Sequence, residues 1–235
     1  MEIVENFDEA GRFTGKLFSK VGNLIILIIL SIIPIVNFIV VGYLGRIIKE
    51  GRKISEPPIL SDYGKLFFEG LKIVVAVIVY AFIPIILLVI SLLLFAPLGS
   101  WGMGQIFSPG MLLGGALIVP VILALILLFV FLIFGVIAIG NMIRTNNFMK
   151  IFAFSENWSI INRIGLVKYL IWLVLIFVIS LIGAAISGAF WIVGAIVDLI
   201  VGVFVARSLG SILDEVISTV EGPQPEKVLP PPPPF

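Results

Sequence analysis

Residues 73–95 read IVVAVIVYAFIPIILLVISLLLF, a run of 23 residues without a charged side chain. This run opens an uncharged stretch that continues to residue 143, and two more uncharged stretches cover residues 21–45 and 169–197. About 18 consecutive apolar residues are enough for an α-helix to cross a bilayer. The chain of 235 residues is 60% hydrophobic and 12% charged, whereas a soluble domain carries roughly 25% charged residues. The sequence therefore predicts an all-α integral membrane protein.

The number of membrane helices follows from the breaks between apolar runs. As one helix, the 71 residues 73–143 would be about 105 Å long, several times the thickness of the hydrocarbon core, so the chain must fold back. Residues 96–110 are rich in Gly and Pro and are predicted to form that loop. A tight turn is predicted at Gly188 and Ala189. Four spans are predicted around these breaks, near residues 73–95, 111–143, 169–187 and 191–206.

The first apolar stretch, residues 20–46, permits two structures. One tilted helix would cross the bilayer once. Pro34 lies near the middle of the stretch, however, and a proline inside a helical run kinks or ends the helix, so the stretch can instead form a re-entrant hairpin. Together with the other spans, it gives five or six membrane helices arranged as helical pairs, with amphipathic helices on the cytoplasmic side.

Basic residues predict the orientation in the membrane. Residues 46–72 contain six Lys and Arg and residues 144–168 contain four, whereas residues 96–110 contain none. Because cytoplasmic loops carry an excess of Lys and Arg, these basic stretches and the C-terminus are predicted to be cytoplasmic in a multi-pass protein of the cell membrane. A hairpin in the first apolar stretch keeps all 15 basic residues inside. We therefore favour the hairpin, which makes the N-terminus cytoplasmic too.

Three regions are predicted along the chain: an amphipathic N-terminal segment (residues 1–20), a polytopic membrane domain (21–213) and a disordered, Pro-rich tail (214–235). The tail from Pro230 to Phe235 favours polyproline II, which can dock on an aromatic groove of a cytoplasmic partner or serve as a solvated end. Amphipathic stretches before the spans are expected to lie on the lipid surface. Their expected interfacial anchors are Tyr63, Phe67, Trp158, Arg46 and Arg207.

Asp198 is the one carboxylate inside a predicted span. A charged side chain in mid-bilayer costs roughly 2.5–3.5 kcal/mol on insertion scales, so such residues face a partner or a cavity. Small residues recur with Asp198 every four positions, which predicts a face that packs closely against another helix. Reflection about the Gly188 turn brings Ser180 opposite Asp198 as a hydrogen-bond donor. The packing residues on this face are Gly194, Gly202, Ala206 and Gly210.

A weak internal repeat connects the first and last membrane segments. Asn37 precedes Arg46 by nine residues, and Asp198 precedes Arg207 by the same interval. Nine helical residues span about 13 Å, so each polar group would lie deep in the membrane when its arginine is at the interface. The repeat suggests related units, each made of an interfacial helix and a helical pair.

Two motifs in the first third of the chain resemble a known family. Residues 33–46 read IPIVNFIVVGYLGR, and residues 62–72 read DYGKLFFEGLK. Together they resemble the signature of an archaeal and bacterial family of multi-span membrane proteins, the domain of unknown function 4013 family. The resemblance implies a multi-span membrane protein and brings no known activity, ligand or catalytic residue.

Composition excludes several functions. The chain has no Cys and no His, and its net charge is +1, which excludes thiolate or imidazole chemistry and a basic face for nucleic acid. The spans show no catalytic pair, metal cluster or cofactor motif. The sequence favours a non-catalytic membrane scaffold or interaction module that contacts the lipid bilayer and can form a homo-oligomer. The alternative is a transporter or channel for a small solute, ion or lipid that uses Asp198.

Overall fold

The computed structural model describes residues 2–95, 118–189 and 191–218, and within these ranges the chain is helical with no β-strand. Short 3₁₀ turns at Lys16–Ser19, Gly51–Lys53 and Phe148–Phe152 connect some of the helices. The predicted loop at residues 96–110 and most of the predicted tail, residues 219–235, lie outside the described residues. The eight α-helices of the described ranges are α1 (Ile3–Gly15), α2 (Val21–Ile32), α3 (Asn37–Glu50), α4 (Tyr63–Phe95), α5 (Ile118–Thr145), α6 (Phe154–Ile164), α7 (Leu166–Ala189) and α8 (Trp191–Ser218).

Four of these helices are long and apolar enough to cross a membrane, and a fifth span results if the bent pair Ile3–Ser19 and Val21–Ile32 is counted as one. The prediction of an all-α membrane fold is confirmed. The four long segments are Tyr63–Ile90, Ile122–Thr145, Leu166–Gly188 and Val193–Val216.

The first apolar stretch folds back on itself as a hairpin of α2 and α3. The side-chain amide of Asn23 in α2 and the hydroxyl of Tyr43 in α3 both donate to the carbonyl oxygen of Pro58, at 3.3 Å and 3.1 Å. In one continuous helix these residues would be about 30 Å apart, so they cannot both contact one atom. At about 18 Å, the 12 residues of α2 are also too short to cross the hydrocarbon core of about 30 Å.

Helices α7 and α8 form an antiparallel pair. Trp172 donates its indole N–H to Ser208 Oγ at 2.8 Å, and Lys168 contacts Glu215 at 2.9 Å. The predicted turn at Gly188 and Ala189 is wrong, because α7 continues through both residues. Helix α8 runs to Ser218, five residues past the predicted end of the membrane domain at residue 213.

Helices α3 and α4 make their closest contact through two glycines. A Cβ atom on Gly42 would collide with the backbone carbonyl of Leu66, and one on Gly70 would collide with the backbone carbonyl of Phe38. Both glycines belong to the two sequence motifs quoted above. Backbone therefore lies directly against backbone at this crossing, which leaves no room for any side chain.

Candidate functional site

A cavity of about 350 Å³ lies between the tip of the α2–α3 hairpin and the α7–α8 pair. Apolar side chains of α3 and α8 form much of its wall. Four polar side chains complete the wall: Ser31, Asn37, Ser187 and Asp198. The fold thus gathers polar groups from four helices, α2, α3, α7 and α8, that are otherwise strongly apolar.

Asp198 is exposed and contributes to the wall of this cavity. Its partner is Ser187, whose hydroxyl lies 2.6 Å from the Asp198 carboxylate and 3.0 Å from the carbonyl oxygen of Gly183. Ser180, the expected donor, is not the residue that contacts Asp198. The expectation failed because it placed the turn at Gly188 and Ala189, whereas α7 continues through Ala189 and the register of the pair shifts accordingly.

Asn37, the first residue of α3, shares the cavity with Asp198. Helices α3 and α8 run side by side in the same direction: a Cβ on Gly202 would lie 2.9 Å from Leu44 Cδ1, and one on Gly210 would lie 3.2 Å from the carbonyl oxygen of Ile48. The two residues that the internal repeat pairs therefore lie at neighbouring levels on adjacent, parallel helices.

The small-residue face of α8 meets two different helices. Gly194 lies against Ser187 of α7, Gly202 against Leu44 of α3, and Gly210 against the end of α3. Ala206 is buried in a core cluster that includes residues of α2 and α3. The face contacts protein along its length, and at Asp198, which contacts Ser187, it also borders the cavity.

Arg207 is buried in a polar network, not exposed at the interface as expected for an anchor. Its side chain is 6% exposed and forms an ion pair of 2.7 Å with Glu9 of α1. The guanidinium also donates to the carbonyl oxygens of Gly51 and Ile54 and lies 4.5 Å from the centre of the Phe13 ring. No local pattern indicates this network, because Glu9 and Arg207 are 198 positions apart.

The other expected anchors have mixed surroundings. Tyr63 and Trp158 are exposed, although Trp158 also stacks on Phe134 at 5.7 Å between ring centres. Phe67 packs between helices against Phe38, also at 5.7 Å. Arg46 donates to the hydroxyl of Ser61 at 3.2 Å.

The amphipathic helices are attached to the membrane helices by buried polar contacts. In α1, the amide of Asn6 donates to the carbonyl oxygen of Ser208 at 3.1 Å. In α6, Asn157 accepts from Asn141 of α5 at 2.9 Å. Beside it, hydrogen bonds from Lys150 and Asn141 hold the pKa of Glu156 below its ordinary value. These contacts fix both helices at the end of the membrane bundle where the C-terminus of α3 lies.

A second cleft, of about 950 Å³, opens at that end between α3, α5, α6 and α8. Arg144 at its wall is paired with Asp214 at 2.6 Å and is 8% exposed. Within the described residues no group of three or more acidic side chains could hold a metal ion.

These helices and their re-entrant hairpin define a polytopic α-helical membrane protein with a polar cavity between helices. The chain belongs to the family described as "Protein of unknown function (DUF4013)", which matches residues 26–206, more than half of its length. The family that the two motifs resembled is thus confirmed. Searches of curated proteins and of solved structures found no match.

Proposed function

We propose that this protein is a non-catalytic membrane protein that binds a small polar solute or ion in the cavity at Asp198 and carries it across the bilayer. One observation supports this proposal most strongly: Asp198 is exposed and contributes to a cavity wall that also includes Ser31, Asn37 and Ser187. Ionisable residues inside membrane segments mark solute or ion pathways in many membrane proteins. Broken helices that end at mid-membrane are a common element of such binding sites.

The sequence favoured a scaffold because one carboxylate is little polar surface for a transporter. The cavity favours a transporter over a scaffold. Two of the three further polar side chains, those of Ser31 and Asn37, come from residues far from Asp198 in sequence, and the hairpin brings them to the same cavity. A dry packing contact would need no open space beside the acid, and here the acid borders a cavity of about 350 Å³.

Flux through purified protein in liposomes tests the proposal. We expect the wild-type protein to take up radioactive sodium or to dissipate a proton gradient at least tenfold faster than protein-free liposomes. Asp198→Asn should abolish this flux, since it removes the charge and keeps the size. Ser180→Ala is the matched control, because this serine is also in α7 but is not the hydrogen-bond partner of Asp198, and it should retain the wild-type rate.

Wild-type flux at the background level for both ions would contradict the transport proposal and favour the second candidate, a membrane scaffold or interaction module. That candidate is supported by the polar contacts that fix α1 and α6 to the membrane helices. Because these contacts hold the two amphipathic helices in place, the end of the bundle that carries them has a constant shape for a partner. The Pro-rich tail from Pro230 to Phe235 could then bind a cytoplasmic protein, and the exposed apolar helix faces could support a homo-oligomer.

The proposal includes an orientation in the cell membrane with both termini in the cytoplasm. The basis is the distribution of Lys and Arg, which favours a cytoplasmic location for the stretches around residues 46–72 and 144–168. Helix α1 lies at the same end of the bundle as these stretches, because Asn6 contacts Ser208 and Glu9 contacts Arg207.

A further inference from the structure

We propose that the cavity at the hairpin tip is a binding site for a monovalent hard cation of the Na⁺ class, held by oxygen atoms of Asp198, Asn37 and the C-terminal end of α2. The inference deepens the proposed function, because it names the ligand of the same cavity. Hard cations prefer carboxylate, amide, hydroxyl and backbone carbonyl oxygens as ligands. The cavity wall offers all four kinds.

The side chains supply the first three kinds of oxygen. Asp198 accepts one hydrogen bond, from Ser187, so its carboxylate has further lone pairs to offer. Ser31 donates its hydroxyl proton to the carbonyl oxygen of Ile28 at 2.7 Å, which leaves the lone pairs of Ser31 Oγ as acceptors. Asn37 adds a side-chain amide oxygen at the start of α3.

The broken helix supplies the fourth kind. Helix α2 ends at Ile32, Pro34 has no N–H, and Ile35 has a left-handed backbone with φ of 64°. Among the described residues no backbone N–H donates to the carbonyl oxygens of Leu30, Ser31 and Ile32. Unpaired carbonyl groups are costly away from water, and the C-terminal end of a helix carries partial negative charge. Since Ser31 and Ile32 line the cavity, a cation there would offset both.

The charge of the cavity wall favours a monovalent cation over a divalent one. Among the described residues that line the cavity, Asp198 is the one with an ionisable side chain, so a single positive charge neutralises the site. A divalent cation would leave net charge within an apolar part of the protein, and an anion would meet a carboxylate. A cavity of about 350 Å³ has room for one such ion with several water molecules, since each water occupies about 30 Å³.

Thermal unfolding of the full chain in detergent, in sodium chloride against choline chloride at equal ionic strength, tests the site. At sodium well above its dissociation constant we expect the wild-type Tm to rise by about 2–4 °C over choline. Asp198→Asn should lose this rise, and Ser180→Ala should keep it. Because Asp198→Asn could itself alter folding, Asn37→Ala provides a second variant, which should raise the sodium concentration at half effect at least tenfold.

The results separate the inference from the proposed function. An equal Tm in sodium and choline for the wild-type protein, or an equal rise in Asp198→Asn, would overturn the sodium site. Flux without sodium-specific stabilisation would leave the transport proposal standing and remove sodium as the ligand. Sodium-specific stabilisation without flux would support the cation site and contradict transport.

Discussion

Gly70→Ala is expected to destabilise the protein by about 3 kcal/mol or more. A Cβ at this position would overlap the carbonyl oxygen of Phe38 and lie 2.8 Å from the backbone nitrogen of Gly42. Both obstacles are backbone atoms of α3, so no rotamer change can relieve the collision. The two helices would have to separate, and the packing around the neighbouring Leu66 would be lost.

Gly64→Ala is the matched control, because Gly64 lies in the same helix and a Cβ there meets nothing within 4 Å. Alanine has the higher helix propensity by about 1 kcal/mol, so this variant should be neutral or slightly more stable. Thermal unfolding in detergent gives the comparison. Equal stability of the two variants would show that α3 and α4 do not cross at Gly42 and Gly70.

Arg207→Met is expected to cost at least about 2 kcal/mol, because each buried acceptor left without a donor costs about 1–3 kcal/mol and two are left. Methionine keeps much of the volume but leaves two carbonyl oxygens, of Gly51 and Ile54, without a donor. Glu9 loses its buried partner and retains Arg52, at 3.3 Å. Helix α1 should then be held less tightly on α8, which faster protease digestion of the N-terminal segment would detect together with a lower Tm.

Arg12→Met supplies the comparison for Arg207→Met. Arg12 also pairs with an acid, Asp8, but its side chain is 74% exposed, and an exposed pair of this spacing contributes about 0.3–0.5 kcal/mol. We therefore expect almost no change in Tm and an intact N-terminal segment. A loss as large as that of Arg207→Met would contradict the role of burial in this network.

Features that depend on local composition could be predicted from the sequence. Apolar runs gave the long helices, and Pro34 with the basic residues favoured the hairpin over a single span. The spacing of nine residues pairs Asn37 with Asp198 as repeat partners, and the two residues line one cavity. In each case, the residues that allow the prediction lie within one segment, or in two segments whose sequences can be compared directly.

Features that depend on the register between segments could not be predicted. Ser180 was expected opposite Asp198 because the end of α7 was placed too early, and a shift of a few residues on a helix rotates a different side chain into contact. The ion pair of Glu9 with Arg207 joins residues that are 198 positions apart, so no periodic pattern within one segment could predict it. Gly42 and Gly70 stood in the quoted motifs, yet only the crossing of α3 and α4 explains them.

Single-cysteine labelling tests most directly whether the first apolar stretch folds back to bring its tip to Asp198. The chain has no native Cys, and Val4 of α1 and Ser155 of α6 are both exposed. In intact cells, an impermeant maleimide should label neither Val4→Cys nor Ser155→Cys, and both should react once the cytoplasmic side is opened. Labelling of Val4→Cys from outside, with Ser155→Cys still protected, would show that residues 20–46 cross the membrane once and would contradict the hairpin.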